Sequence, residues 1–488
     1  MNGPGDKAPK VYIETFGCQM NKLDSELLMT KLLDEGFIQG SSAGEADVIL
    51  FNTCSVRKHA EERVYSRLGS ISRIRRGRPW VVVGVVGCMA EKDRAGIFER
   101  VPQVDVVCGV RGHDSLPGLL HRAIAARRDI GNEPSGSTRL CAAGRDPGAP
   151  AIAAVYGVSR RPECRPSPFQ AYVMAMTGCA CKCAYCVVPA LRGAEASRPV
   201  DEVLNEIRAL ARQGCVEVTL LGQNITAYGR SLGLKDGLAD LFRKINDIDG
   251  LRRIRFVTSH PAFMTRRLLE TIADLEKICP YIHAPAQSGS DRILARMGRG
   301  YTAKDYMELL ESARCIIPGV EFASDFIVGF PGEDEADFER TVDLVRQARF
   351  LNSYIFKYSA RPSTRAADWP DDVPLRRKEE RNTRLLKEQA TVSAEKHAAL
   401  VGSEMEILLE GPSRRTPHLP TGRTRFNHIV FVEPVSQAGL AMGGRGRPGG
   451  LEDCGGRHPA ESARPGQIVR VRIKHVTPLA LYGEPVGG

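Results

Sequence analysis

The sequence predicts an α/β chain in three parts: an N-terminal parallel α/β domain, a central partial TIM-type barrel of six β/α units, and a small C-terminal β-barrel. Three observations carry this prediction. Apolar, β-branched runs alternate with helical patterns through most of the first 396 residues. A stretch rich in Gly, Pro, Ser, Ala and Arg, residues 131–168, interrupts the alternation. Beyond residue 397 only short strand patterns separated by turn residues remain.

Composition sets the outer limits. A chain of 488 residues has the length of roughly three domains. Its 42% hydrophobic and 26% charged content is that of a globular protein. No run of eighteen apolar residues occurs, so no membrane partner is expected. Residues 1–10 lack the apolar centre of a signal peptide. Fourteen cysteines without a secretion signal point to a reducing, cytoplasmic location and away from a disulfide framework. The net charge of +10 and pI of about 9 favour an anionic partner such as nucleic acid.

In the N-terminal part, residues 9–128, buried strands are expected at residues 11–16, 48–51 and 80–86. Each is followed by a cysteine, Cys18, Cys54 or Cys88, with helical patterns clearest at residues 24–35 and 58–73. In a parallel sheet the loops after the strands share one edge, and ligands bind there. The three thiols should therefore converge, with room for an open metal cluster. Cys108, after the apolar run 104–107, reads as a core residue. Residues 129–164 read as a linker, with Cys141 and Cys164 as exposed linker thiols.

In the central part, residues 165–396, strands are expected at 171–176, 216–221, 253–258, 281–284, 321–328 and 353–358, with helices such as 200–212 and 333–348 between. The loop after the first strand reads T-G-C-A-C-K-C-A-Y-C-V-V and carries Cys179, Cys183 and Cys186 at C-x3-C-x2-C spacing, with Cys181 inside the first gap. Thiolates at this density bind soft metals or iron–sulfur clusters. A structural zinc site would need four ligands, normally as two distant pairs. Three thiolates suit a 4Fe–4S cubane with one iron left open for chemistry. Barrel active sites lie on the loops after the strands. Those loops carry Gly222, Gln223 and Asn224, Ser259 and His260, Gln287, and Asp325 with Gly329, which offer close backbone approach and polar partners for an amino acid and a ribose. His260 and His283 read either as general bases or as hydrogen-bonded site walls. Cys215, Cys279 and Cys315 read as core.

In the C-terminal part, residues 397–486, strand patterns occur at 404–409, 428–432, 468–475 and 479–482. Between residues 411 and 475 there are eleven Lys or Arg against four Asp or Glu. Arg414, Arg415, Arg423 and Arg425 surround turns, and Arg470, Arg472 and Lys474 alternate along one strand, so they share a face that can track a phosphate backbone. The Gly-rich insert 436–465 reads as a loop, with Cys454 outside any ligand set.

The cysteine loop with Tyr185 before its last cysteine resembles the radical S-adenosylmethionine (SAM) superfamily. G-C-Q-M-N-K-L-D-S-E (17–26), N-T-C-S-V-R (52–57), V-G-C-M-A (86–90) and V-P-A-L-R-G-A-E-A-S-R (188–198) resemble the MiaB-type tRNA methylthiotransferases of the radical SAM methylthiotransferase family. E-G-P-S-R-R (410–415) and T-G-R-T (421–424) resemble its TRAM RNA-binding domain. The resemblance implies two 4Fe–4S clusters, an auxiliary one on Cys18, Cys54 and Cys88 and a radical SAM one on Cys179, Cys183 and Cys186. It implies SAM contacts from Tyr185, Gly222, Gln223, Asn224, Ser259, Gln287, Asp325, Ile327 and Gly329. Gly222-Gln223 stands where the superfamily usually has Gly-Gly-Glu, so the acid is absent. RNA contacts are expected from Arg192, Arg198 and the seven basic C-terminal residues. The implied reaction is methylthiolation of C2 of N6-isopentenyladenosine beside the tRNA anticodon. This is an unactivated aromatic C–H, which acid–base catalysis cannot readily cleave. An electron donor such as flavodoxin or ferredoxin and a monomeric chain are expected. The alternatives are methylthiolation of threonylcarbamoyl-adenosine in tRNA or of a ribosomal protein, and a non-catalytic iron–sulfur RNA-binding protein. Gln19-Met20-Asn21 points away from both alternative substrates.

Overall fold

The computed structural model describes residues 7–55, 58–129, 139–144, 160–413, 416–433 and 464–486. The N-terminal sheet contains β1 (Lys10–Phe16), β2 (Ile38–Gln39), β3 (Val48–Thr53), β4 (Val82–Gly87), β5 (Val106–Cys108) and β6 (Leu140–Ala142). All pair in parallel, in the order β2-β1-β3-β4-β5-β6. Every residue of β3 and β4 is buried, as a strand covered on both faces requires. On one face lie α1 (Gln19–Asp34) and α5 (Leu116–Asp129), whose Leu23, Leu27 and Leu120 meet Val48 and Leu50. On the other lie α2 (Lys58–Gly77) and α4 (Gly96–Arg100), whose Leu68 and Ile97 meet Ile49 and Phe51. The short α3 (Cys88–Asp93) leaves the end of β4.

Strands β7 (Gln170–Met174), β10 (Glu217–Leu221) and β11 (Arg253–Phe256) form one parallel sheet of the central barrel, and β12 (Tyr281–His283), β13 (Glu321–Val328) and β14 (Asn352–Lys357) form another. A parallel bridge between Ile254 and Ile278 joins the two into an open six-stranded wall. After β7 come a two-residue ladder, β8 (Met176–Thr177) with β9 (Ala196–Ser197), and the helix α6 (Val188–Arg192). Helices α7 (Val200–Arg212), α8 (Gly237–Asn246), α9 (Arg266–Asp274), α10 (Asp291–Met297), α11 (Ala303–Ile316) and α12 (Glu335–Ala348) follow. The largest core lies between the wall and these helices, with Val218, Ile254, Phe322 and Phe326 against Ile207, Phe242, Leu310 and Val342. The last helix, α13 (Leu375–Ala398), is pinned to the final strand by Gln389, which accepts from Ser353 at 2.7 Å.

A closed barrel completes the chain: β15 (Glu404–Pro412), β16 (Pro420–Thr424), β17 (Ile429–Val432), β18 (Ile468–Val476) and β19 (Leu481–Pro485), in the order β15-β16-β17-β19-β18. Ile407, Val430, Val471 and Leu481 fill it. It docks on the strand starts of the central wall. There Arg253 donates to Arg423 O at 2.8 Å and to Glu406 Oε1 at 3.0 Å, and Arg255 donates to Thr424 O at 2.8 Å.

Five strands escape the sequence reading. β2, β5, β6 and β9 are two or three residues long, too short for periodicity to register. β6 lies inside the expected linker, as does Arg160, which is buried and paired with Glu26 and with Glu206 at 2.6 Å. β16 reads P-T-G-R-T and is a strand because it closes the barrel. The insert 436–463 and Cys454 lie outside the described residues. Among the described residues no helix is long and apolar enough to cross a membrane.

Candidate cluster and cofactor site

The parallel register brings the ends of β1, β3 and β4 to one edge: Phe16 pairs Thr53, and Thr53 pairs Gly87. Cys18, Cys54 and Cys88 follow directly. Two asparagines hold these loops. Asn52 donates to Asn21 O at 2.8 Å and to Ser25 Oγ at 2.8 Å. Asn21 donates to Asn52 Oδ1 at 3.2 Å and Thr53 O at 3.3 Å, and its Oδ1 accepts from the Cys18 backbone at 3.2 Å. The residues preceding Cys18 and Cys88 are glycines because they rest on this pair. A Cβ on Gly17, at φ +149°, would stand 2.5 Å from Asn21 Oδ1 and from Cys54 Cβ. On Gly87, at φ +91°, it would stand 2.3 Å from Asn52 Oδ1.

The hydrogen bond with Cys54 brings the Cys18 thiol down to about 6, against burial and with help from Arg192. Burial raises Cys88, opposed by the charge of Arg192. Arg192 Nη2 lies 3.5 Å from Cys88 Sγ and 2.6 Å from Asp24 Oδ2. Ser55 Oγ and both ring nitrogens of the fully buried His113 have no hydrogen-bond partner among the described residues. His113 is held down to about 4 by burial.

The second cysteine loop sits at the strand end of β7. Cys179 N donates to Gly193 O at 3.3 Å, and Ala184 N to Met297 O at 2.8 Å. Cys181 is hydrogen-bonded to Cys179, which this lowers to about 7. Its sulfur also stands 3.9 Å from Asn224 Nδ2. Burial pushes Cys186 up to about 12. Arg299 Nη1 lies 3.4 Å from both Cys183 Sγ and Tyr185 Oη, and Nη2 is anchored on Pro285 O at 2.9 Å. Tyr185 meets Phe330 edge-on at 6.4 Å, with Ile327 in the same apolar cluster. Among the described residues no three Cys, His, Asp or Glu side chains form a single-ion site. Each triad instead offers three soft thiols with an arginine alongside, a donor set suited to an iron–sulfur cluster, whose thiolates each bind a separate iron.

The polar strand ends follow this loop in sequence order. Gln223 Oε1 and Ser259 Oγ are buried without partners among the described residues. Such unpaired buried acceptors are chemically suited to the polar groups of SAM. Gly222 and Gly329 are buried. Asn224 Oδ1 accepts from Thr226 at 2.7 Å. Gln287 takes φ +75° and its backbone bridges Asp325 O and Ile327 N. Asp325 Oδ1 is 3.0 Å from His283 Nε2. His260 is held down to about 3 by burial and then by Arg299, and its Nδ1 accepts from Ala262 N at 3.3 Å, which fits a wall rather than a proton carrier.

Comparison with known proteins agrees with this arrangement. Residues 10–109 match the family described as uncharacterized protein family UPF0004, and residues 173–345 match the radical SAM superfamily. A tRNA-2-methylthio-N(6)-dimethylallyladenosine synthase from Rhodopirellula baltica is 44% identical over 88% of this chain and 92% of its own length. Another from Moorella thermoacetica is 39% identical over 99% of this chain and 100% of its own. The chain belongs to the tRNA-2-methylthio-N(6)-dimethylallyladenosine synthase family. The radical SAM methyltransferase TsrM from Kitasatospora setae shares the fold, with a TM-score of 0.52 at 18% identity, covering 74% of this chain and 75% of that one. Radical SAM membership implies a 4Fe–4S cluster and SAM.

In this synthase-family chain the expected RNA contacts divide. Arg192 and Arg198 are both buried. Arg198 donates to Met174 O at 2.9 Å and to Glu206 at 2.5 Å. Turned inward, neither is available to a surface phosphate. Arg423 pairs with Glu410 at 3.1 Å, and Arg425 donates to Glu276 O and to Ile278 O at 2.9 Å, so Arg425 is part of the barrel docking. Arg470, Arg472 and Lys474 are exposed on one face of β18 as expected, with Arg472 paired to Glu404 and Lys474 to Glu484. Arg414 and Arg415 lie outside the described residues. Sequence reasoning missed Asn21, Asn52, Asp24 and Arg299 as site residues. The first three stand inside the quoted cysteine motifs, which was the available signal. Arg299 had none.

Proposed function

We propose that this chain transfers a methylthio group to C2 of N6-dimethylallyladenosine beside the anticodon of tRNA. The observation that carries the reading is the pairing of two three-thiol sites, one on each parallel sheet system, in a chain 44% identical to a synthase of that reaction over 88% of its length. Cys18, Cys54 and Cys88 would hold one 4Fe–4S cluster, and Cys179, Cys183 and Cys186 the other. When bound, the clusters and SAM would relay single electrons and supply a hydrogen-abstracting radical and the methyl of the transferred group.

The chain's own residues position and shield. Gln223 Oε1 offers an acceptor for the SAM ammonium in place of the missing acid, and Ser259 Oγ a partner for its polar groups. Tyr185, Ile327 and Phe330 form an apolar wall that excludes water beside the central thiols. Asn21 and Asn52 keep the N-terminal thiols at a common edge. The basic face of β18 would follow the phosphate backbone. Flavodoxin or ferredoxin fits the need for an electron donor, and a cytoplasmic monomer fits the reaction. The test is mass spectrometry of tRNA nucleosides from cells lacking this protein. The methylthio nucleoside should vanish, its dimethylallyl precursor should accumulate, and the intact chain should restore it. Unchanged nucleosides with altered ribosomal protein would refute the assignment.

A further inference from the structure

We propose that Arg192 is a positioning residue for the N-terminal thiol site, a fixed buried cation lent to that site by the segment that follows the central cysteine loop. The inference rests on the reading that Cys18, Cys54 and Cys88 hold a cluster.

α6 begins two residues after Cys186 and ends at Arg192. Its Val187 and Leu191 neighbours pack on Cys88 and Val110. The helix is therefore a strut between the two cysteine sites. At its tip one guanidinium nitrogen, Nη2, bonds Asp24 at 2.6 Å and reaches Cys88 Sγ at 3.5 Å. Asp24 is fully buried on α1, the helix whose N-cap is Cys18. One guanidinium thus spans both the Cys18 helix and the Cys88 thiol. An ordinary interdomain ion pair would need only Asp24.

Three thiolates around a buried cluster concentrate negative charge, and one more electron adds to it. Cluster potentials follow net charge, hydrogen bonds to sulfur and solvent exposure, and an N–H aimed at a ligand sulfur orients it and stabilises the reduced state. Arg192 is 6% exposed, so solvent screens it little. Asp24 fixes the guanidinium and partly offsets its charge. The pair therefore sets the site through two opposed charges.

Opposed charges give a test with a sign. In the reconstituted full chain, the midpoint potential of the N-terminal cluster is followed by EPR. A chain carrying Cys179→Ala, Cys183→Ala and Cys186→Ala assigns its signal. Arg192→Gln should move the midpoint to more negative values, Asp24→Asn to more positive values, and Arg192→Lys should stay near the parent. A merely structural pair would move both neutral variants the same way. Where Arg192→Gln sheds the N-terminal iron, retention in Arg192→Lys supports the assignment. Equal loss in Arg192→Lys and Asp24→Asn overturns it, as do midpoints and iron that match the parent in both neutral variants. If the chain lacking the three central thiols holds no cluster at all, the underlying cluster reading fails instead.

Discussion

Asn21 and Asn52 hydrogen-bond to each other in both directions across the edge of the N-terminal sheet, the Asn52 amide to Asn21 O at 2.8 Å and the Asn21 amide to Asn52 Oδ1 at 3.2 Å. Both are fully buried. Gly17, Gly87, the Cys18 amide and the Thr53 carbonyl all rest on them. The three thiols are therefore positioned by a polar clasp beneath them and not by their own contacts alone.

That clasp predicts the outcome of Asn52→Ala. The buried Asn21 amide keeps only Thr53 O and the Asn21 carbonyl loses its side-chain donor, at a cost of about 1–3 kcal/mol, and the Cys18 and Cys88 loops loosen together. Reconstituted iron should fall from about eight to about four per chain by cubane stoichiometry, with SAM cleavage retained. Iron and protein assays check this, and a full iron load would show the clasp to be dispensable.

Replacing whole triads separates the two sites. Cys18→Ala, Cys54→Ala and Cys88→Ala together should leave 5′-deoxyadenosine production measurable under dithionite while abolishing methylthio transfer. Cys179→Ala should abolish both. Cys181→Ala should retain iron and SAM cleavage, although its sulfur pairs with Cys179 in the structure. Loss of the central cluster in that single variant would make Cys181 a ligand.

The orphaned atoms predict a binding effect without a folding effect. Gln223→Ala and Ser259→Ala remove groups with no internal partner among the described residues, so thermal stability should hardly change. Each should weaken SAM binding by roughly tenfold, the value of one hydrogen bond to a charged or polar ligand group. Calorimetric titration of reconstituted protein with SAM measures it. Unaltered affinity in both variants would remove them from the cofactor site.

On β18, Arg470→Ala, Arg472→Ala and Lys474→Ala combined should weaken tRNA binding and flatten its dependence on salt. Each lost phosphate contact lowers the slope of log K against log salt by about 0.7–0.9. Arg425→Ala should instead loosen the barrel from the central wall, where its guanidinium is engaged. Filter binding across a salt series distinguishes the two.

The barrel is also anchored by two buried histidines. His397 Nδ1 donates to Thr477 O at 2.7 Å, so its Nε2 is left to accept from His428 Nδ1 at 3.2 Å. Burial holds His428 down to about 3, with the charges of His397 and Lys396 adding to it, and burial also lowers His397. A depressed folded value means that this stabilisation is complete above the unfolded value near 6.5 and is lost as pH falls toward the folded one. By pH 5 the loss from His428 should reach about 2 kcal/mol. Protection factors of β15 to β19 amides, with the pH dependence of intrinsic exchange divided out, should fall between pH 7 and 5, and less so in His428→Gln. An equal fall in both chains would clear the pair of this role.

Local sequence by itself determined much of this protein. The apolar runs ending in Cys18, Cys54 and Cys88 already implied three parallel strands and a shared edge, because a parallel sheet puts its strand ends together. The spacing of Cys179, Cys183 and Cys186 implied an open cluster site, because ligand spacing within one loop is a local property. The alternation of Arg470, Arg472 and Lys474 survived for the same reason: a strand has period two wherever it packs. Tertiary structure decided what depended on partners distant in the chain. β6 and β16 became strands only because a neighbouring edge needed them. Arg192 and Arg198 look like phosphate ligands in one dimension and are buried ties, Arg192 because Asp24 arrives from α1 and Arg198 because α7 folds Glu206 back onto it. The same holds for Asn21 and Asn52. Each is an ordinary polar residue in its own motif, and only the β1–β3 register sets them against each other beneath the thiols.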